Sequence, residues 1–142
     1  MKIVLISCVS MKQSQKAKAV DMYISPWFKY AVRYSKTLKA DKSFILSAKY
    51  GMLKYDDIIE PYELTLNKML KPERIEWSEK VLRSLREETD LRNDHYIFLA
   101  GQRYRENLVK NIVDYSAPLS AFGIGKQLQY MKSAVENSAQ ES

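Results

Sequence analysis

Residues 44–62 read FILSAKYGMLKYDDIIEPY, and the fold turns on this stretch. Phe44-Ile45-Leu46 is a short apolar run of residues that suit a pleated, buried strand. It switches without a spacer to Ser47-Ala48-Lys49-Tyr50-Gly51: a hydroxyl, a small residue, a cation, a phenol and a glycine. In an α/β sheet, ligands bind just past the carboxyl ends of strands. Gly51 allows the backbone to turn and a ligand to approach closely. Asp56-Asp57 and Glu60-Pro61-Tyr62 come next, which puts Lys49, Tyr50, Glu60 and Tyr62 within a short reach of one another. Taken alone, the stretch fits two readings: a strand-end binding site, or a solvated loop carrying two core tyrosines.

Outward from this segment, the same succession of apolar strand and polar loop recurs. Residues 2–7, KIVLIS, form a continuous aliphatic and β-branched run, the mark of a buried parallel strand. The following Ser7-Cys8-Val9-Ser10-Met11-Lys12 offers hydroxyls, backbone N–H groups and a lysine to an anion. It lacks the glycines of a Walker or dinucleotide fingerprint. Residues 95–100, HYIFLA, predict a third strand, and Gly101-Gln102-Arg103-Tyr104-Arg105 opens a helix over about 102–113. A helix N-terminus bearing two arginines is suited to an anion. Residues 117–122 predict a short fourth strand, and Gly123-Ile124-Gly125-Lys126-Gln127 opens the last helix.

The helices between these strands carry their own signals. Ser25 is a natural N-cap with Pro26 at the first helical position, where its missing N–H costs nothing. That helix runs to about Leu38, with Trp27, Ala31, Tyr34 and Leu38 as a core-facing stripe. A second runs over about 71–88, with Pro72 in its first turn and an apolar stripe of Ile75, Val81, Leu82 and Leu85. Alternation at this spacing predicts a single three-layer α/β/α domain over residues 1–136, with a mostly parallel four-stranded sheet. Residues 137–142 read as a flexible polar tail. In such a sheet the four strand-end loops, 7–12, 47–51, 101–105 and 123–127, converge on one edge.

The bulk numbers fit this picture. With 142 residues, 46% of them hydrophobic and 28% charged, the chain can bury one ordinary core. No apolar run approaches the roughly 20 residues that cross a bilayer. MKIVLISCVSMK is too short and strand-like for a signal peptide, so a cytoplasmic protein with no membrane partner is expected. One cysteine, Cys8, and one distant histidine, His95, do not make a structural zinc site, and no metal or cofactor is expected. A formal charge of +6 tilts toward polyanions, although many small proteins are mildly basic. The ten tyrosines add flat faces and hydroxyls that suit nucleobases.

The segments DMYISPWF (21–28), ILSAKYGML (45–53), IEPYELTL (59–66), FLAGQRYRENL (98–108) and PLSAFGIGKQLQYMK (118–132) together carry a family resemblance. The chain resembles, over nearly its whole length, an uncharacterised family of small bacterial, archaeal and phage proteins marked by SAKYG and a downstream EPY (DUF6884-like). More distantly it is similar to the uracil-DNA-glycosylase-like domain of some archaeal tRNA-guanine transglycosylases and to peroxide-stress proteins of the YaaA type. Both relatives imply nucleic acid or nucleobases. The chain lacks the Gly-Gln-Asp-Pro-Tyr-His motif of true uracil-DNA glycosylases.

Two functions follow as expectations. One is cleavage or exchange of an N-glycosidic bond to a nucleobase, which needs a carboxylate to activate water or to stabilise an oxocarbenium-like centre. Glu60 is the candidate, its backbone direction restricted by Pro61, with Asp21 assisting. Tyr23, Tyr50 and Tyr62 would hold the base; Lys12, Lys49 and Arg103, with Arg105, would hold phosphates. Ser7, Cys8, Ser25, Ser47, Gly51, Gly101, Tyr104, Gly123 and Gln127 complete the expected site. The other function uses the same pocket without turnover, as a module that binds or senses a nucleotide or nucleic acid, for example in phage defence. A pocket with no carboxylate near the tyrosines favours this second function.

Overall fold

A computed structural model describes residues 1–7 and 11–141, with side chains to Ala139. The elements run β1 (Lys2–Ser7), β2 (Ala17–Lys18), α1 (Ala19–Met22), α2 (Pro26–Thr37), β3 (Lys42–Ser47), β4 (Gly51–Leu53) and β5 (Ile58–Ile59). They continue with α3 (Lys71–Glu88), β6 (His95–Leu99), α4 (Gln102–Arg105), β7 (Asp114–Ser116) and α5 (Ile124–Glu141). Five strands form one sheet in the order β4-β3-β1-β6-β7, and β2 pairs with β5 in a separate antiparallel ribbon. In the main sheet β1 is parallel to both β3 and β6, and β6 is parallel to β7. Within this five-stranded sheet, the described strand that runs antiparallel is β4, folded back on β3.

The central strand explains the core. Side chains alternate across a strand, and those of β1 divide accordingly. Val4 and Ile6 join one apolar cluster with Phe28, Ala31 and Tyr34 of α2 and Met131 of α5. Ile3 and Leu5 join the other, with Trp77, Val81, Leu82 and Leu85 of α3. All four β1 side chains are fully buried. At about 1.5–3 kcal/mol for each large aliphatic side chain removed from water, this strand is the first place where a polar substitution would unfold the sheet. The N-cap at Ser25 forms as the sequence dictates, with the Phe28 N–H donating to Ser25 Oγ at 3.2 Å.

Connectivity then locates a crevice. From β1 the chain passes through α2 to β3 on one side, and later through α3 to β6 on the other side of β1. The strand order therefore reverses at β1, and the loops after β1 and β6 diverge. Such a switch point, at the carboxyl ends of the strands, is where open α/β sheets bind ligands.

Four expectations differ from the structure. The sheet has five strands, because Gly51, at φ 80°, turns the chain back after β3 and adds β4. The strand expected over 117–122 is instead two tight turns, with Ser120 N–H to the Ala117 carbonyl and Phe122 N–H to the Leu119 carbonyl. Pro118 has no N–H for a ladder, and the strand lies just upstream at β7. The helix expected over 102–113 stops after one turn and resumes only as a 3-10 turn at Val109–Asn111. Leu108 and Ile112 are buried in the α3 cluster by that break. At the other end, α5 extends through Glu141, taking in most of the stretch read as a tail.

Candidate functional site

At the switch point lies a cavity of about 490 Å³. Its floor is the carboxyl ends of β1 and β6: Ser7, Phe98, Ala100 and Gly101. Ser25 and Trp27 enter from α2, Gln102, Tyr104 and Arg105 from α4, and Ile124 and Gln127 from α5. Leu119, Ser120 and Asn67 close the rim. Two long helices, α2 and α5, thus begin at this cavity. Their first-turn amides have no acceptor within the helix, and the positive ends of their dipoles favour an anion. Arg105 adds a full positive charge, held in place by donation from Nη1 to the Ala100 carbonyl at 2.8 Å. No carboxylate is among the described residues that line this cavity.

Gln127 works as a clamp. Its Oε1 accepts from Trp27 Nε1 at 2.9 Å, while its Nε2 donates to the carbonyls of Leu119 at 3.0 Å and Phe122 at 2.9 Å. One amide therefore fixes the Trp27 indole and the 119–122 turn together. The residue expected to contact a ligand instead shapes the wall that does so.

An open groove of about 830 Å³ borders the cavity, and Asn67 lines both. Its walls include Lys12, Gln13 and Ser14 on one side and Tyr62, Glu63, Thr65 and Lys68 on the other. Lys12 Nζ sits 4.4 Å from the centre of the Tyr62 ring, close enough for the ring face to attract the ammonium. The segment carrying Lys12 is held by a backbone bridge to Tyr23 and by Gln13 N–H to the Met22 carbonyl at 2.9 Å.

Behind the groove, a polar network fixes Tyr62. Its hydroxyl lies 2.6 Å from that of Tyr23 and accepts from Ser47 Oγ at 2.9 Å. Ser47 Oγ also accepts from Tyr50 N–H at 3.0 Å, and the Ser47 carbonyl accepts from Trp77 Nε1 at 2.8 Å. Tyr50 stands edge-on to Tyr62, with ring centres 5.8 Å apart. Its hydroxyl bonds the Glu60 backbone, accepting from the N–H at 3.2 Å and donating to the carbonyl at 3.4 Å. The strand end of β3 and the IEPY segment are therefore one unit, as the close spacing of Lys49, Tyr50, Glu60 and Tyr62 suggested.

The expected site residues divide into groups. Ser7, Ser25, Gly101, Tyr104 and Gln127 come together at the cavity, and Lys12 and Tyr62 at the groove. Tyr23, Ser47 and Tyr50 form the network behind them. Gly51 serves the β3–β4 turn, against the Lys80 side chain. Gly123 accepts the Gln127 N–H that starts α5. Lys49 is exposed, its Nζ 5.3 Å from the Tyr50 ring centre. Arg103 is exposed beside Glu106, at 3.9 Å. Asp21 and Glu60 are exposed and line neither cavity nor groove. Cys8 lies outside the described residues. Sequence reasoning missed Trp27 as a wall, having assigned it to the core stripe, and missed Asn67, Gln102 and Ser120. Gln102 lies in the 101–105 loop expected at this edge and was not singled out within it; nothing in the local sequence marks Asn67.

A separate constellation occupies the opposite end of the sheet. His95 Nδ1 is 3.0 Å from Asp114 Oδ2, and His95 Nε2 is 3.4 Å from Ser116 Oγ. Aspartate, histidine and serine in this order can activate a hydroxyl. His95 and Asp114 open the neighbouring strands β6 and β7, Ser116 ends β7, and none of the three lines the cavity or the groove.

Fold and site together define an α/β protein with an open, mostly parallel sheet and an anion-favouring cavity at its switch point. The chain belongs to a family of unknown function, DUF6884, whose sequence pattern matches residues 3–133. It is 36% identical over 124 residues to the uncharacterized protein YfjM of Bacillus subtilis (strain 168), a match covering 84% of this chain and 81% of that protein. No solved structure matches the chain. No helix among the described residues is long and apolar enough to cross a membrane.

Proposed function

We propose that this protein binds a nucleotide-like anion in the switch-point cavity and acts as a binding or sensing module. In this reading the two apolar clusters cover the two faces of the sheet as a three-layer α/β/α domain, and the cavity opens at its carboxyl edge. The observation that carries the proposal is the junction of two helix N-termini, Arg105 and the β1 and β6 strand ends around one cavity of about 490 Å³. That volume suits a small organic ligand. Trp27 offers a flat face for a base, and the helix ends with Arg105 suit a phosphate. The chain's +6 charge favours the same ligand class.

The geometry favours binding over glycosidic cleavage. A general acid or base must reach the reacting atom directly or through one water. Glu60 and Asp21 are exposed and away from the cavity walls. Calorimetric titration with the common nucleoside mono-, di- and triphosphates tests the proposal, at several salt concentrations. The expected result is saturable binding that weakens with salt and is blocked by Ser120→Trp, which fills the rim from an exposed turn. Glu60→Gln is expected to leave that affinity unchanged. Release of free base that stops in Glu60→Gln would reverse the choice between the two functions.

A further inference from the structure

Resting on that reading, we infer that the ligand is a single-stranded nucleic acid: one nucleotide enters the cavity and the adjoining backbone crosses the groove of Lys12 and Lys68. Asn67 is common to both surfaces, so a ligand leaving the cavity past Asn67 enters the groove directly. The two spaces differ in chemistry in the way such a chain requires. The cavity is walled by Trp27, Phe98 and Leu119 with anion-favouring helix ends, which suits a base and its own phosphate. The groove carries two lysines and the polar side chains of Gln13, Ser14 and Thr65, which suit a sugar–phosphate backbone. A free mononucleotide would leave the groove unused.

The strand must be single. A base can enter a cavity at a sheet edge only when it is unpaired or flipped out, and flipping from a duplex carries an unpairing and unstacking cost that a single strand largely escapes. Single-strand binders combine a cationic groove with aromatic faces, and their affinity falls with salt. Lys12 is placed for both tasks, because its ammonium stands on the Tyr62 ring at the groove wall. Glu63 opposes a phosphate from the same wall. Its removal should therefore strengthen binding, which gives the proposal a test of opposite sign.

The experiment uses fluorescence anisotropy with a labelled random-sequence single strand of about ten nucleotides, within the range of known site sizes. DNA and RNA forms are run in parallel, with a duplex of the same length and a mixture of the four nucleoside monophosphates as competitors. The single strand is expected to bind at least tenfold more tightly than the monophosphates and the duplex. Lys12→Gln and Lys68→Gln should each weaken strand binding several-fold and reduce the salt slope by about 0.7, while leaving monophosphate affinity unchanged. Glu63→Gln should tighten strand binding alone. If the monophosphates bind and the strand binds no tighter, this inference fails and the cavity reading stands. A duplex that binds as well as the single strand also overturns it. If neither strand nor monophosphates bind, both readings fail together.

Discussion

The Tyr23 and Tyr62 hydroxyls meet at 2.6 Å, tying the end of the 11–23 loop to the IEPY segment 39 residues away. Ser47 donates to the same Tyr62 oxygen from the end of β3 at 2.9 Å. Three separate pieces of chain are thus fixed at one point beside the groove. Removing the Tyr62 hydroxyl takes one hydrogen bond from each of the buried residues Tyr23 and Ser47. Tyr62→Phe should therefore destabilise the protein by about 1–3 kcal/mol in urea denaturation. Tyr23→Phe should cost less, because Ser47 still serves Tyr62. The double variant should be less than additive, since both singles break the same bond. Strict additivity would mean that the two hydroxyls are not coupled.

Gln127→Leu keeps the approximate volume of the side chain and loses three hydrogen bonds, to Trp27, Leu119 and Phe122. Stability should fall by about 1–3 kcal/mol, and nucleotide affinity should fall by more than the folded fraction explains, because the 119–122 wall loosens. Trp27 emission should shift as its indole N–H loses its acceptor. An unchanged emission spectrum would remove Gln127 from its positioning role.

Acid should destabilise the protein through carboxylates that meet solvent. Glu88 is held below its ordinary value of 4.5, first by its hydrogen bond and charge contact with Lys54 and further by Lys42. Asp90 is held below 3.8, first by the Asn93 amide and then by the Arg92 backbone N–H. A carboxylate whose folded pKa is depressed contributes stability that is present above its unfolded value and is lost as pH falls through the folded one. The melting temperature should therefore drop as pH falls below about 4.5, and more weakly in high salt because Glu88 meets solvent. The gap between wild type and Glu88→Gln should close over the same interval. A gap as large at pH 3 as at pH 6 would contradict this assignment.

Much of the fold was legible because the signals were strong and local. Short apolar runs within 2–7, 42–47 and 95–100 became β1, β3 and β6, and the Ser25-Pro26 start produced α2. The strand β4 was not legible, since three residues after a turn carry no periodicity and are set by pairing with β3. The 117–122 run misled because an apolar stretch in a turn looks like an apolar stretch in a strand until Pro118 is weighed. For the site, strand-end position found Ser7, Gly101, Tyr104 and Lys12, because the sheet's parallel order brings those ends together. Asn67 was missed because only tertiary packing brings the 66–68 turn to the crevice. Glu60 drew attention for its fixed backbone, which the Tyr50 hydroxyl confirms, but a fixed backbone does not aim a carboxylate into a cavity.

The most direct measurement of the central claim is a two-dimensional amide NMR titration of the whole chain with a nucleoside monophosphate mixture. The account predicts saturable shifts concentrated at Ser7, Gly101, Gln102, Ser120 and Ile124, around the cavity where β1 and β6 end. Shifts centred instead on Asp21 and Glu60, or no saturable shifts at millimolar ligand, would contradict it.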